Sequence, residues 1–316
     1  MTSRLLGEII QQVKYKTTVH NSDNITRTLA YQNYYLKNPE IRWALLASIV
    51  SRNAGWNMTD LVIPPIKNML NEKQRQQLFS TYERANWLIF SDAFPQLLIY
   101  QLSKEKGKPL FECLNDFHVS RFMIKEWLRF WETANVDRLV KALIINEQNV
   151  IENPVIQQPY FHSRIFHRVP YLLESFLRLN VVIFPMKSGE LYGLPIYKFT
   201  HIDQRIAIGN TLTDLLFDPR LLPTFLEFIH TVEPVGSREE YEQFLTLPEI
   251  PAPPLKQVYP IIQHQDNIRE DWHRLRGLKQ KWWEAKVPFP ESAPKRYYVK
   301  KKILLKMSEL ISLTQR

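Results

Sequence analysis

Two short stretches carry residue types that could hold an anion. The first is NITRTLAYQNYY, with Asn24, Arg27, Thr28, Tyr31 and Tyr34. The second is SRNAGWNMTDL, with Arg52, Asn53, Trp56, Asn57 and Asp60. Guanidinium forks, amides and aromatic rings gathered at one point suit a phosphate or a stacked base. The stretches would meet if the helices carrying them run antiparallel, because the start of the earlier one then lies beside the end of the later. A plainer reading stands next to this one. Arg52 would pair with the last carbonyls of its own helix, and Gly55 would end that helix in a left-handed conformation. Asn57 or Thr59 would cap the next helix, and Trp56 would pack as a corner post.

The second candidate is electrostatic. The formal net charge is +9. From residue 247 onward there are 14 Lys and Arg against 7 Asp and Glu, which leaves 27 against 25 before it. A nearly neutral body thus precedes a basic tail, a distribution that fits a polyanionic partner: nucleic acid first, an anionic membrane surface second, a protein third. The cations are Arg274, Arg276, Lys279 and Lys281 beside the Trp282-Trp283 pair, then Lys295, Arg296, Lys300, Lys301, Lys302 and Lys306 interleaved with Tyr297 and Tyr298. On a helix, Val299, Ile303, Met307, Leu310 and Ile311 form an apolar stripe with the lysines largely off it, a pattern that docks on a body or lies on a membrane. Cations with aromatics also compose single-strand and junction binders, while tryptophans at helical spacing serve packing as readily as stacking.

Other chemistry is thinly represented. No Walker loop, dinucleotide fingerprint, HExxH or GxSxG occurs, and 8 glycines in 316 residues leave little for phosphate-cradling loops. His162 and His167 lie five apart, a spacing that puts them on different faces of a helix or a strand, so no metal site is expected. Arg164 and Arg168 beside them favour phosphate over a cation. His201 next to Asp203 suggests a local structural pair. Cys113 is the single cysteine, expected as a buried inert thiol; with no disulfide to form, it suits a reducing cytoplasm. The first residues carry no apolar signal region, and no charge-free apolar run is long enough to span a bilayer. No cofactor is expected.

The elements that must position these residues read as mostly helical. Apolar periodicity predicts helices over 3–13, 24–36 (capped by Ser22 or Asp23), and 41–54 (opened by Asn38-Pro39-Glu40). A long pattern begins at Asn71 and is expected to kink or break at Pro95. Further helices are predicted over 118–134, 136–150, 159–179, 203–217, 220–231 and a capping box at 237–240. The strand candidates are 181–185 and 190–199, with Lys187-Ser188-Gly189 as a hairpin turn. The whole reads as a predominantly α protein. A multi-helix globular body spans 1–247, with a small β-hairpin near 181–199. A proline-rich connection spans 248–260, and a basic helical tail, 261–316, packs on the body.

The stretches NITRTLAYQNYYLKNPEIRWALLASIVSRNAGWNMTDL, GNTLTDLLFD and GSREEYEQFL resemble an uncharacterised family of Bacillus and its relatives, a domain of unknown function. The resemblance covers most of the chain and supplies no catalytic residues. In that family the gene often lies beside those for a Holliday-junction resolvase and a penicillin-binding protein, which implies DNA recombination or envelope synthesis. Three expectations follow: a non-enzymatic nucleic-acid-associated protein acting through its tail, an enzyme with an unrecognised site at the Arg27/Arg52/Asn53 corner, or a scaffold or peripheral membrane protein.

Overall fold

The computed structural model describes residues 3–158, 181–196, 198–246, 252–265, 269–289, 299, 302–303 and 306. The protein is predominantly α, with a two-stranded antiparallel hairpin among the described residues. Helices α1 (Ser3–His20), α2 (Asn24–Lys37), α3 (Arg42–Asp60), α4 (Pro64–Met69) and α5 (Glu72–Lys106) come first. A 3-10 turn (Phe111–Phe117), α6 (Arg121–Thr133), α7 (Val136–Val150) and a π turn (Glu152–Ile156) follow. The hairpin is β1 (Val181–Pro185) with β2 (Leu191–Pro195), registered Ile183 opposite Gly193. Helices α8 (Ile202–Leu216) and α9 (Leu222–Thr231) come next. The short turns α10 (Glu239–Glu242), α11 (Leu255–Val258), α12 (Trp272–Arg276) and a 3-10 turn (Gln280–Trp283) complete the described elements.

Local signals placed several boundaries. Asp23 caps α2 by accepting the Thr26 N–H at 2.8 Å. Asn71 and Gln74 close a reciprocal capping box on α5, both bonds 3.0 Å. Gly189, at φ 85°, turns the hairpin. Asn38 differs from its predicted role: it ends α2, its N–H reaching the Tyr34 and Tyr35 carbonyls, and α3 begins only at Arg42.

Two expected breaks are absent. Helix α5 runs unbroken through Pro95. Proline leaves the carbonyl four residues back without its helical donor. Arg269, far along the chain, reaches that Ser91 carbonyl and the Leu88 carbonyl at 3.4 Å, and the Phe117 carbonyl at 2.9 Å. Helix α3 likewise continues past Gly55 to Asp60. Gly55 serves close approach instead of termination: a β-carbon there would sit 3.3 Å from Gly236 Cα. Thr59 Oγ1 donates to the Gly236 carbonyl at 2.8 Å across the same contact.

The first part of the expected basic helical tail, 261–286, is also built differently. Residues 259–265 are non-helical, and among the described residues of 261–286 only the short turns α12 and Gln280–Trp283 form. Trp272, Trp282 and Trp283 of this segment are buried in the main core with Trp43, Trp127 and the α7 aliphatics. Tertiary burial of three indoles overrides helical periodicity here. A buried polar network fixes the segment further. Asn146 Oδ1 accepts from Trp272 Nε1 and Ser120 Oγ at 2.8 Å each, and Asn146 Nδ2 donates to Asp92 at 2.6 Å. Asp92 also accepts from Gln96 at 2.7 Å, so these polar groups are matched inside the core.

Candidate functional site

The start of α2 lies against the last turns of α3. Ser51 Oγ donates to the Asn24 carbonyl at 3.2 Å, and Asn24 Nδ2 lies 3.7 Å from Met58 Sδ. The two arginines of this corner nevertheless diverge. Arg27 is 1% exposed. It grips Glu83 of α5 in a bidentate pair at 2.5 and 2.9 Å, and its other N–H groups reach Asn21 and Asn24. Burial alone would push the Glu83 carboxyl up, but hydrogen bonds and charge from Arg27 and His264 hold it below the usual carboxylate range. Arg52 points instead toward the segment after α9. Its Nε donates to Glu240 at 2.5 Å and its Nη2 to the Val232 carbonyl at 2.7 Å. Its guanidinium lies 4.8 Å from the Phe228 ring centre and 6.0 Å from that of Trp56. Burial draws the Arg52 pKa down, and Glu240 opposes it.

Glu240 does more than neutralise Arg52. Its second oxygen accepts the N–H groups of Val235, Gly236 and Ser237 at 2.8, 2.6 and 3.3 Å. This is the capping-box glutamate, put to tertiary use. The remaining corner residues are also engaged by this segment. Arg238 pairs with Asp60 and donates to Asn57 Oδ1 at 2.8 Å and to the Tyr241 hydroxyl at 2.6 Å. Asn53 acts as a strand partner: its Oδ1 accepts the Ile183 N–H at 2.7 Å, and its Nδ2 donates to the Ile183 carbonyl at 2.9 Å. Trp56 is buried and packs 4.8 Å from the Tyr241 ring. The polar cluster in SRNAGWNMTDL thus joins α3 to the hairpin and to residues 232–242.

A cavity lies beside α3. Its volume is about 170 Å³, and α2, α3, α5, α7, β1 and α8 supply its walls. Arg27, Tyr31, Asn53 and Asn57 line it; Asn24, Arg52, Trp56 and Asp60 do not. Glu147 and Arg205 also line it, and neither was singled out from the sequence. Burial pushes the Glu147 carboxyl up to about 7, against hydrogen bonds from Gln148 and Trp43 that favour its charge. A signal for Glu147 existed: it sits three and four residues from Ile144, Leu143 and Ile151, an acid on the apolar face of its helix. Glu83 and Glu240 gave no such signal as partners, since they lie 56 and 188 residues from their arginines.

In the basic region Arg274, Arg276, Lys279 and Lys281 are all exposed. Arg276 meets Asn153 and lies 3.7 Å from Glu152; Lys281 pairs with Asp203; Lys279 lies 5.5 Å from the Trp282 ring centre. Lys302 and Lys306 are exposed. Lys295, Arg296, Lys300 and Lys301 lie outside the described residues, as do His162, Arg164, His167 and Arg168. Asp203 bonds Lys281 and Trp282 Nε1, the latter at 2.6 Å, in place of the expected local pair with His201. Cys113 is buried, and burial pushes its thiol pKa up. Among the described residues no cluster of three His, Cys, Asp or Glu is placed to hold a metal, and no helix is long and apolar enough to cross a membrane.

A helical body braced by buried arginine–carboxylate pairs around an internal cavity is the architecture these residues define. The chain belongs to the family described as protein of unknown function (DUF2515), whose model matches residues 19–296. It is 45% identical over 282 residues to the uncharacterized protein YppC of Bacillus subtilis (strain 168), covering 89% of this chain and 85% of that relative. No solved structure matches the chain.

Proposed function

We propose that this protein associates with nucleic acid through phosphate contacts made by its basic C-terminal region, in the cytoplasm. The observation that carries the reading is the sidedness of residues 269–289. Trp272, Trp282 and Trp283 face the core, and Arg274, Arg276, Lys279 and Lys281 face solvent. With the indoles occupied, this segment offers charge without base stacking, which favours backbone contact over sequence reading. The exposed pairs of Lys281 and Arg276 are cheap to exchange for phosphate. The single buried cysteine supports the cytoplasmic part of the reading.

The test is a titration of the full chain against single-stranded, duplex and four-way-junction DNA at two salt concentrations. A variant with Arg274→Gln, Arg276→Gln, Lys279→Gln and Lys281→Gln runs alongside. Truncation is the poorer experiment, because it strips three tryptophans from the core. Each lost phosphate contact should lower the salt slope by about 1. Absence of binding at low salt overturns the proposal. Salt-sensitive binding that the fourfold variant retains would move the interface off this segment. Binding to vesicles of anionic lipid with none to DNA would make the region a membrane contact.

A further inference from the structure

On the wall of the cavity beside α3 lies a carboxyl group without the counter-charge that the buried arginine–glutamate pairs have. Glu147 accepts from Trp43 Nε1 at 3.0 Å and from Gln148 Nε2 at 2.9 Å, both neutral donors. The arginines on the same walls are committed to other carboxylates, Arg27 to Glu83 and Arg205 to Glu152. Ionised Glu147 is therefore the one charge among the described lining residues without a counter-charge. Glu147 is half-buried and lines the cavity.

The rest of the wall is largely aliphatic, with Leu46, Val50, Ile89, Ile151, Ile208 and Leu212. A dry apolar cavity of about 150 Å³ holds benzene. The space here, about 170 Å³, accommodates one ring and a short polar arm. An apolar chamber with a few convergent polar groups is the usual form of a small-molecule site.

We propose that this cavity is a binding site for a small, largely apolar amine, whose ammonium group pairs with Glu147. The cation supplies the counter-charge that the protein withholds, and the hydrocarbon body covers the aliphatic wall. A neutral ligand leaves the carboxylate uncompensated, and an anion is repelled. The inference is independent of nucleic-acid binding, which uses a different surface.

Isothermal titration calorimetry on the full chain tests it, with benzylamine, benzyl alcohol and benzoate as probes near pH 8, where Glu147 is ionised. Benzylamine is expected to bind saturably, about tenfold or more tighter than the isosteric alcohol, with benzoate excluded. Glu147→Gln is expected to erase the preference for the amine. The comparison of three probes on the unaltered chain stands even if a variant fails to fold. Equal affinity for amine and alcohol overturns the proposal. So does an amine affinity that Glu147→Gln leaves unchanged, or no benzylamine binding up to about 10 mM, a bound weaker than any specific site of this size should show.

Discussion

Glu147 makes the stability of this protein depend on pH in a direction opposite to most carboxylates. Its pKa rises from the ordinary 4.5 to about 7 in the folded chain because burial disfavours its charge. A carboxyl with a raised folded value holds more protons folded than unfolded, so its contribution is complete below the unfolded pKa. Stability is then lost as pH rises toward the folded value, and the loss levels off above it. A shift of this size corresponds to about 3 kcal/mol, an upper figure because water in the cavity would reduce it. Glu147→Gln removes the titration. The amide oxygen can still accept from Trp43, while Gln148 loses its acceptor at a cost of about 1 kcal/mol. The variant should therefore be slightly less stable than the parent near pH 5 and about 2 kcal/mol more stable near pH 8. Urea denaturation of both proteins at the two pH values measures this, and the difference between them cancels every other titrating group. A stability difference that does not change with pH would refute the reasoning, because Glu147 would then ionise as an ordinary carboxyl.

Three further outcomes follow from the same geometry. Glu240→Ala strands Arg52 and three backbone N–H groups at once, so it should cost more than Arg52→Ala, with each in the range of about 3–5 kcal/mol or above; a double-mutant cycle by chemical denaturation measures the coupling. Gly236→Ala should lower the melting temperature more than Gly55→Ala. Gly236 sits at φ 74°, with Leu255 Cβ 2.6 Å from where its own β-carbon would lie. The crowding at Gly55 is milder and is offset by about 1 kcal/mol of helix propensity. Cys113 should resist thiol reagents in the native protein and react on unfolding, which a timed labelling assay with and without urea would read.

The parts legible in the sequence are those whose cause is local. The hairpin announced itself through two short β-branched and aromatic runs around Lys187-Ser188-Gly189, and it forms at 181–185 and 191–195. Asp23 and Asn71 cap the helices they precede because a cap bond spans only three residues. The apolar character of 42–50 foretold its burial in α3.

Partners distant in the chain decided the rest. Gly55 and Pro95 are helix breakers in isolation. Here one is retained for the approach of Gly236, and the other is accommodated by a guanidinium from residue 269. The tryptophans of 272–283 promised a helix by spacing, yet the core took the indoles one by one. Arg27 and Arg52 carried the same chemistry in sequence and received different carboxylates in space, which turned an apparent anion corner into two separate braces. Periodicity and capping report on neighbours within a turn or two. Neutralising a buried charge, or leaving Glu147 without a counter-charge at a cavity wall, depends on groups that only the folded chain brings within a few ångströms.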